Sequence, residues 1–211
     1  MQLVAENLTL ERGGRAVVEA LSFCLGAGSA LILTGPNGAG KSTLLRALAG
    51  YFRPAAGRVR VTGAGADRET SEVCHFVGHL DGIKTHLSAA ENLSFWGTYL
   101  AGPADADRSL ARRVEEALER FALDALATIP AGYLSAGQKR RLALARLAVA
   151  ARPLWLLDEP TVSLDVASVR VLIEAINDHL KGGGLAVIAT HVPMELTSAQ
   201  AIQLGGARAA A

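Results

Sequence analysis

Eight consecutive residues carry the densest chemistry in this chain: Gly35-Pro36-Asn37-Gly38-Ala39-Gly40-Lys41-Ser42. The glycines let successive backbone N–H groups turn inward around an anion, the lysine adds a cation, and the hydroxyl offers a hard oxygen to a divalent metal. The spacing is the phosphate-cradling pattern G-x-x-x-x-G-K-[ST]. Lys41 is expected to reach the β- and γ-phosphates of ATP, and Ser42 to ligate Mg²⁺. Ser42 and Thr43 also open a helical pattern, Ser42 to Ala49, ending at Gly50. A helix N-terminus there would aim free N–H groups and a positive dipole end at the phosphates.

A second cluster lies about 120 residues on. Leu154-Trp155-Leu156-Leu157-Asp158-Glu159-Pro160 is an apolar run ending in two carboxylates. Asp158 is expected to hold Mg²⁺ through water, and Glu159 to polarise the water that attacks the γ-phosphate.

These side chains need a scaffold of defined type. Ala30-Leu31-Ile32-Leu33-Thr34 is a short, continuous apolar run suited to a buried strand, and it feeds straight into the glycine loop. Strand, glycine loop and helix in that order form a phosphate-binding α/β unit. Residues Leu154 to Leu157 and Leu185 to Ala189 read as further buried strands, and Val166 to Leu180 as a helix, with Gly182-Gly183-Gly184 turning between the last two. Upstream, Leu8 and Leu10, then Val17 to Leu25, alternate between glycine turns and predict short antiparallel strands. Val59 and Val61, then Cys74 to Val77, read as strands.

From Leu80 to Ala151 the pattern is helical. Ser88-Ala89-Ala90-Glu91 and Ser135-Ala136-Gly137-Gln138 are capping boxes, each opening a helix. The first helix is closed by Gly102-Pro103; Val114, Leu118 and Phe121 mark another. The expected fold class is α/β. Residues 1–79 and 152–211 form a mostly parallel core with an N-terminal antiparallel portion, and residues 80–151 form an inserted helical subdomain. Leu185 to Ala189 is the last strand expected, and the tail after Gly205 is read as frayed.

The ordered motif set resembles the ABC family of P-loop ATPases. Leu134-Ser135-Ala136-Gly137-Gln138 is similar to the family's signature motif, Ser163-Leu164-Asp165 to its D-loop, and His191, after the strand at 185–189, to its switch histidine. No other P-loop class combines these in this order. The resemblance covers essentially the whole chain and implies a head-to-tail homodimer. In such a dimer ATP is sandwiched between the P-loop of one copy and Ser135, Gly137 and Gln138 of the other. It further implies that His191 contacts the γ-phosphate and that Asp165 crosses the dimer interface. Ser135 and the N–H groups opening its helix form a second anion site in their own right.

Two positions depart from the common ABC pattern. Arg12, in Leu10-Glu11-Arg12-Gly13-Gly14-Arg15, stands where an aromatic residue usually stacks on adenine. A guanidinium plane stacks on a base as well. His79, in Val77-Gly78-His79, stands where a glutamine usually helps ligate Mg²⁺. Imidazole suits Mg²⁺ less than an amide oxygen, so His79 is read either as a contact to the attacking water or as a coupling residue between site and partner, against a plain loop histidine. The loops Glu11-Arg12 with Arg15, Phe76 to Thr85 and Ser88 to Leu93 resemble the ATP-binding subunit of the bacterial cytochrome c maturation haem exporter. That family implies membrane-spanning partners, a peripheral place on the cytoplasmic face of the inner membrane, and hydrolysis linked to release of haem-loaded chaperone.

Composition fits this and narrows the rest. The chain has 211 residues, 50% of them hydrophobic, with 19% charged and a formal net charge of +1. A sizeable core is expected, and nothing points to nucleic acid as a partner. No leader is apparent at Met1 to Glu6, and the longest apolar stretch, Leu142 to Ala151, is broken by Arg146 and too short to span a bilayer. Cys24 and Cys74 have no metal or redox spacing and are expected to be buried free thiols. Direct haem ligation by His75, His79 or His86 is not expected, for want of a matched second ligand. Gly82 to Leu93, with Lys84, is the segment expected to dock a membrane partner's cytoplasmic helix. Three rival readings are an ATPase subunit of another ABC importer or exporter, a soluble ABC protein acting on ribosomes or DNA, and a nucleotide-binding module without turnover. The second usually carries two cassettes or long coiled-coil insertions, and Glu159 and His191 argue against the third.

Overall fold

The computed structural model describes residues 1–63, 69–102, 105 and 109–205. The chain divides into two compact units, one made of Met1–Gly78, Pro153–Pro160 and Ile176–Ala211, the other of His79–Arg152 and Thr161–Ala175.

The first unit holds two sheets. Strands β1 (Gln2–Arg12), β2 (Arg15–Gly26) and β4 (Ala56–Thr62) form an antiparallel sheet in the order β2-β1-β4. Strands β3 (Ala30–Thr34), β5 (Cys74–Val77), β6 (Leu154–Asp158), β7 (Leu185–Ala189) and β8 (Ala199–Gln203) form a parallel sheet in the order β5-β6-β7-β3-β8. Every residue of β6 and β7 is buried. A parallel strand covered on both faces needs such an unbroken apolar run. Helix α1 (Lys41–Leu48) turns Leu44, Leu45 and Leu48 into a core shared with Leu3, Leu8 and Leu10 of β1 and Leu31 and Leu33 of β3. A four-residue helix, α2 (Thr70–Val73), precedes β5.

The N-terminal strands are longer than the sequence pattern suggests. β1 and β2 run 11 and 12 residues because register shifts between Ala5 and Glu11 absorb the breaks in alternation. Gly13 and Gly14, both at positive φ, make the two-residue turn between them. β8 is an additional strand beyond the expected last one. Its sequence, Ala-Gln-Ala-Ile-Gln, lacks an apolar run because it is an exposed edge. Cys24 corrects the expectation of two buried thiols: it is exposed on edge strand β2, while Cys74 is buried on β5.

The second unit contains α3 (Ala89–Tyr99), α4 (Leu110–Arg120) and α5 (Ala136–Val149). Both capping boxes form. Ser88 and Glu91 exchange bonds of 3.2 and 2.8 Å at the start of α3, and Ser135 and Gln138 exchange bonds of the same lengths at the start of α5. α3 ends at Tyr99, and Pro103 lies outside the described residues, as do residues 206–211. Val114 and Leu118 of α4 are buried, as their spacing predicts. From Arg140 onward α5 is mostly buried, including Arg140 and Arg146. Arg113 and Asp105 make a buried ion pair at 2.9 Å, and Asp105 also accepts from the N–H of Ala151 at 3.1 Å. The carboxylate of Asp105 is thus satisfied, its other oxygen accepting from the N–H of Gly102 at 3.0 Å, whereas Nε of Arg113 is buried without a partner among the described residues. Helix α6 (Val166–Lys181) contributes residues to both units. Among the described residues no helix is long and apolar enough to cross a membrane.

Candidate active site

Parallel strands deliver their following loops to one edge of the sheet. β3 pairs with β7 and β7 with β6, so the glycine loop after β3, the carboxylates ending β6 and His191 after β7 emerge side by side. Crevices at the carboxyl ends of such strands are where open α/β sheets bind ligands.

The glycine loop has the backbone its sequence requires. Gly35, Gly38 and Gly40 have φ of 127, 84 and 95°. A Cβ on Gly35 would lie 2.2 Å from the carbonyl oxygen of Leu204, and one on Gly40 would lie 3.0 Å from that of Val17, so both stand where only glycine fits. A Cβ on Gly38 would meet nothing within 4 Å, leaving open space at the tip of the loop. Gly40 caps α1 from the left-handed region with no side-chain cap hydrogen bond. That is the form of an anion cradle.

Lys41 is 7% exposed. Its ammonium donates to the carbonyls of Gly35 at 2.7 Å and Pro36 at 3.1 Å, and stands 3.2 Å from Nε2 of His191. These partners are neutral or titratable, and no carboxylate pairs with it among the described residues. A buried cation held in that way fits an anionic ligand as its missing counter-charge. Ser42 Oγ donates to Oδ1 of Asp158 at 3.0 Å, joining the P-loop helix to the end of β6. Hydroxyl and carboxylate oxygens side by side are the donor chemistry Mg²⁺ prefers.

Glu159 follows with φ of 46°, a left-handed backbone that a β-carbon disfavours by about 1 kcal/mol. Its N–H donates to Ala189 at 2.9 Å, which fixes the turn against β7. The turn brings Oε1 of Glu159 to 3.4 Å from Nε2 of His191. Lys41, Glu159 and His191 therefore meet at one imidazole nitrogen, although 150 residues separate the lysine from the histidine.

Arg12 is exposed at the tip of the β1–β2 hairpin, paired across the turn with Arg15. His79 is exposed directly after β5. In the second unit, Ser135 is the N-cap of α5. Its Oγ accepts from Gln138 and so retains its own O–H for an outside acceptor, and the N–H groups of Ala136 and Gly137 lie in the first turn, where no intrahelical acceptor exists. Gly137 packs on the loop at Ser163: a Cβ there would come within 2.9 Å of the Ser163 carbonyl. Asp165 accepts from the N–H of Ser168 at 2.7 Å, and this bond holds its carboxyl below the usual carboxylate range.

Sequence reasoning missed a contact at the opposite, amino-terminal end of the same strands. His179 of α6 stacks on Trp155 of β6, with ring centroids 4.0 Å apart and planes 8° from parallel. Gly184 is fitted to that ring, since a Cβ would lie 2.3 Å from it. Burial lowers the His179 pKa to about 4. The Trp155 run and the glycine turn were visible in sequence, but their meeting with His179 depends on the β6–β7 pairing.

The comparisons agree with this fold. The family model described as "ABC transporter" matches residues 18–162. The chain is 46% identical over 208 residues to the "Cytochrome c biogenesis ATP-binding export protein CcmA" of Agrobacterium fabrum, covering 98% of this chain and 96% of the relative. It is 49% identical over 203 residues to the protein of the same name from Paramagnetospirillum magneticum, covering 95% and 92%. A solved putative ABC transporter ATP-binding protein from Pyrococcus furiosus has the same fold, with a TM-score of 0.80 at 21% identity over 95% of this chain and 97% of that one. The chain belongs to the ABC transporter family and, within it, to the family of cytochrome c biogenesis ATP-binding export proteins.

Proposed function

We propose that this chain is the ATP-hydrolysing subunit of a membrane complex for cytochrome c biogenesis, in which turnover drives release of haem-loaded chaperone. The end-to-end likeness to proteins bearing that name supports the branch. The convergence of Lys41 and Glu159 on Nε2 of His191, at the mouth of the glycine loop, carries the reaction.

The phosphates of ATP enter the cradle from Gly35 to Thr43, and Lys41 exchanges the Gly35 and Pro36 carbonyls for their oxygens. Ser42 and Asp158 would hold Mg²⁺, which would supply positive charge to the phosphates. Glu159 accepts a hydrogen bond from the attacking water and orients it. His191 donates to the γ-phosphate. Arg12 stacks on adenine, and His79 contacts the water or couples the site to a partner.

Ser135, Gly137 and Gln138 serve the ATP of a second copy in a head-to-tail homodimer, with Asp165 at the interface. A helix start with an unspent hydroxyl proton and free N–H groups supports that role. Gly82 to Leu93 docks a membrane-spanning subunit of the cytochrome c maturation system, which places the chain peripherally on the cytoplasmic face of the bacterial inner membrane.

Glu159→Gln tests the reading: steady-state hydrolysis with the membrane partners present is expected to fall at least about a hundredfold while ATP still binds. Normal turnover would sink the role given to Glu159.

A further inference from the structure

Asp81 lies two residues past His79 and has no part in the chemistry described above. Its carboxylate accepts from Nη1 of Arg140 at 2.7 Å, and its carbonyl accepts from Nη1 of Arg146 at 3.2 Å. Both arginines belong to α5, the helix that Ser135 caps, and they are only 4% and 5% exposed. The Arg146 guanidinium also lies over the Trp96 ring of α3, 4.8 Å from its centroid. Gly82 has φ of 66°, and a Cβ there would come within 3.3 Å of Nη1 of Arg146 and 3.4 Å of Trp96. The loop therefore closes tightly over the two guanidinium groups.

The far end of the loop is fixed to α3 as firmly. Asn92, 1% exposed, accepts from the N–H of Lys84 at 2.8 Å and donates to the carbonyls of Lys84, Leu87 and Ser88 at 2.9 to 3.1 Å. The Lys84 ammonium sits 3.6 Å over the Phe95 ring. The loop is thus held at two places: at Asp81 to α5 by charge, and at Lys84 to Ser88 to α3 by a buried amide.

We propose that Asp81 is a positioning residue for ATP hydrolysis: its bond to Arg140 makes the loop 79–88 and the start of α5 move as one piece. A push on the loop is then delivered at Ser135 instead of being absorbed between them. The inference rests on the reading above that Ser135 acts on ATP and that a membrane subunit docks at this loop.

The test uses the full chain assembled with its membrane partners. Hydrogen exchange is followed at residues 79–88 and 135–141 with and without the partners, together with ATP turnover. In the wild-type chain both segments change protection on assembly. In Asp81→Ala the loop still responds, the response at 135–141 is lost, and kcat falls about tenfold with KM for ATP little changed. If Asp81→Ala does not fold, Asp81→Asn, which keeps an acceptor oxygen and loses the charge, carries the test with a smaller effect in the same direction. Coupled responses and unchanged kcat in the folded variant overturn the proposal, as does loss of response at both segments together. Ser135→Ala separates the two readings. If it leaves turnover unchanged, the role given to Ser135 fails; if it slows turnover while the Asp81 variants do not, only the inference about Asp81 fails.

Discussion

Nε2 of His191 lies 3.4 Å from Oε1 of Glu159 and 3.2 Å from Nζ of Lys41. One imidazole nitrogen cannot accept from an ammonium and donate to a carboxylate at once. An anion that takes the ammonium's hydrogen bond would leave Nε2 to donate. His191→Ala is expected to lower kcat by about a hundredfold, the usual effect of removing one donor to a developing oxyanion. ATP affinity should change far less, because Lys41 and the loop amides remain. Single-turnover kinetics beside nucleotide titration would check this; a loss confined to affinity would contradict it.

Gly35 and Gly38 separate folding from binding within one loop. At Gly35 a methyl group collides with the Leu204 carbonyl, so Gly35→Ala should cost more than the ~1 kcal/mol of a left-handed backbone alone and lower the unfolding midpoint clearly. At Gly38 the space is open. Gly38→Ala should incur only about that backbone cost, yet place a methyl group where phosphate oxygens belong. Thermal unfolding together with nucleotide binding would show stability falling most in the first variant, and affinity being lost in the second out of proportion to its stability.

The buried His179 predicts a particular pH dependence. Its pKa falls from the ordinary 6.5 to about 4, mainly through desolvation. Between those values the unfolded chain binds more protons than the folded one, so stability rises with pH. The contribution is intact above about pH 6.5, declines as pH falls toward 4, and is flat below. His179→Phe keeps a flat ring on Trp155 and removes the titration. Denaturant unfolding across that range should show a shallower acid limb in the variant, and an unchanged limb would refute the assignment.

Local signals made much of this molecule legible. The two capping boxes, the buried runs of β3, β6 and β7 and the glycine loop each occupy a few consecutive residues with one sterically dictated outcome. β8 was not legible, because an exposed edge strand needs no apolar alternation. Lys41 resting on the Gly35 and Pro36 carbonyls and on His191 was not legible either. The motif says what the lysine does to a phosphate and nothing of what it touches without one. The Asp81–Arg140 pair spans 59 residues, and although Asp81 lies in the loop Phe76 to Thr85, nothing in that loop's sequence points to Arg140. Such pairs arise from how helices pack, and sequence spacing carries no trace of them.

The unequal exposure of the two thiols has a practical consequence. Cys24 stands on an open strand edge and Cys74 within the core, so a maleimide reagent should modify the native chain at one position without any engineered cysteine. In a two-copy assembly that gives one dye per subunit at a known strand position. The distance between the two dyes then becomes a ruler for nucleotide-driven closure, read in the unaltered sequence.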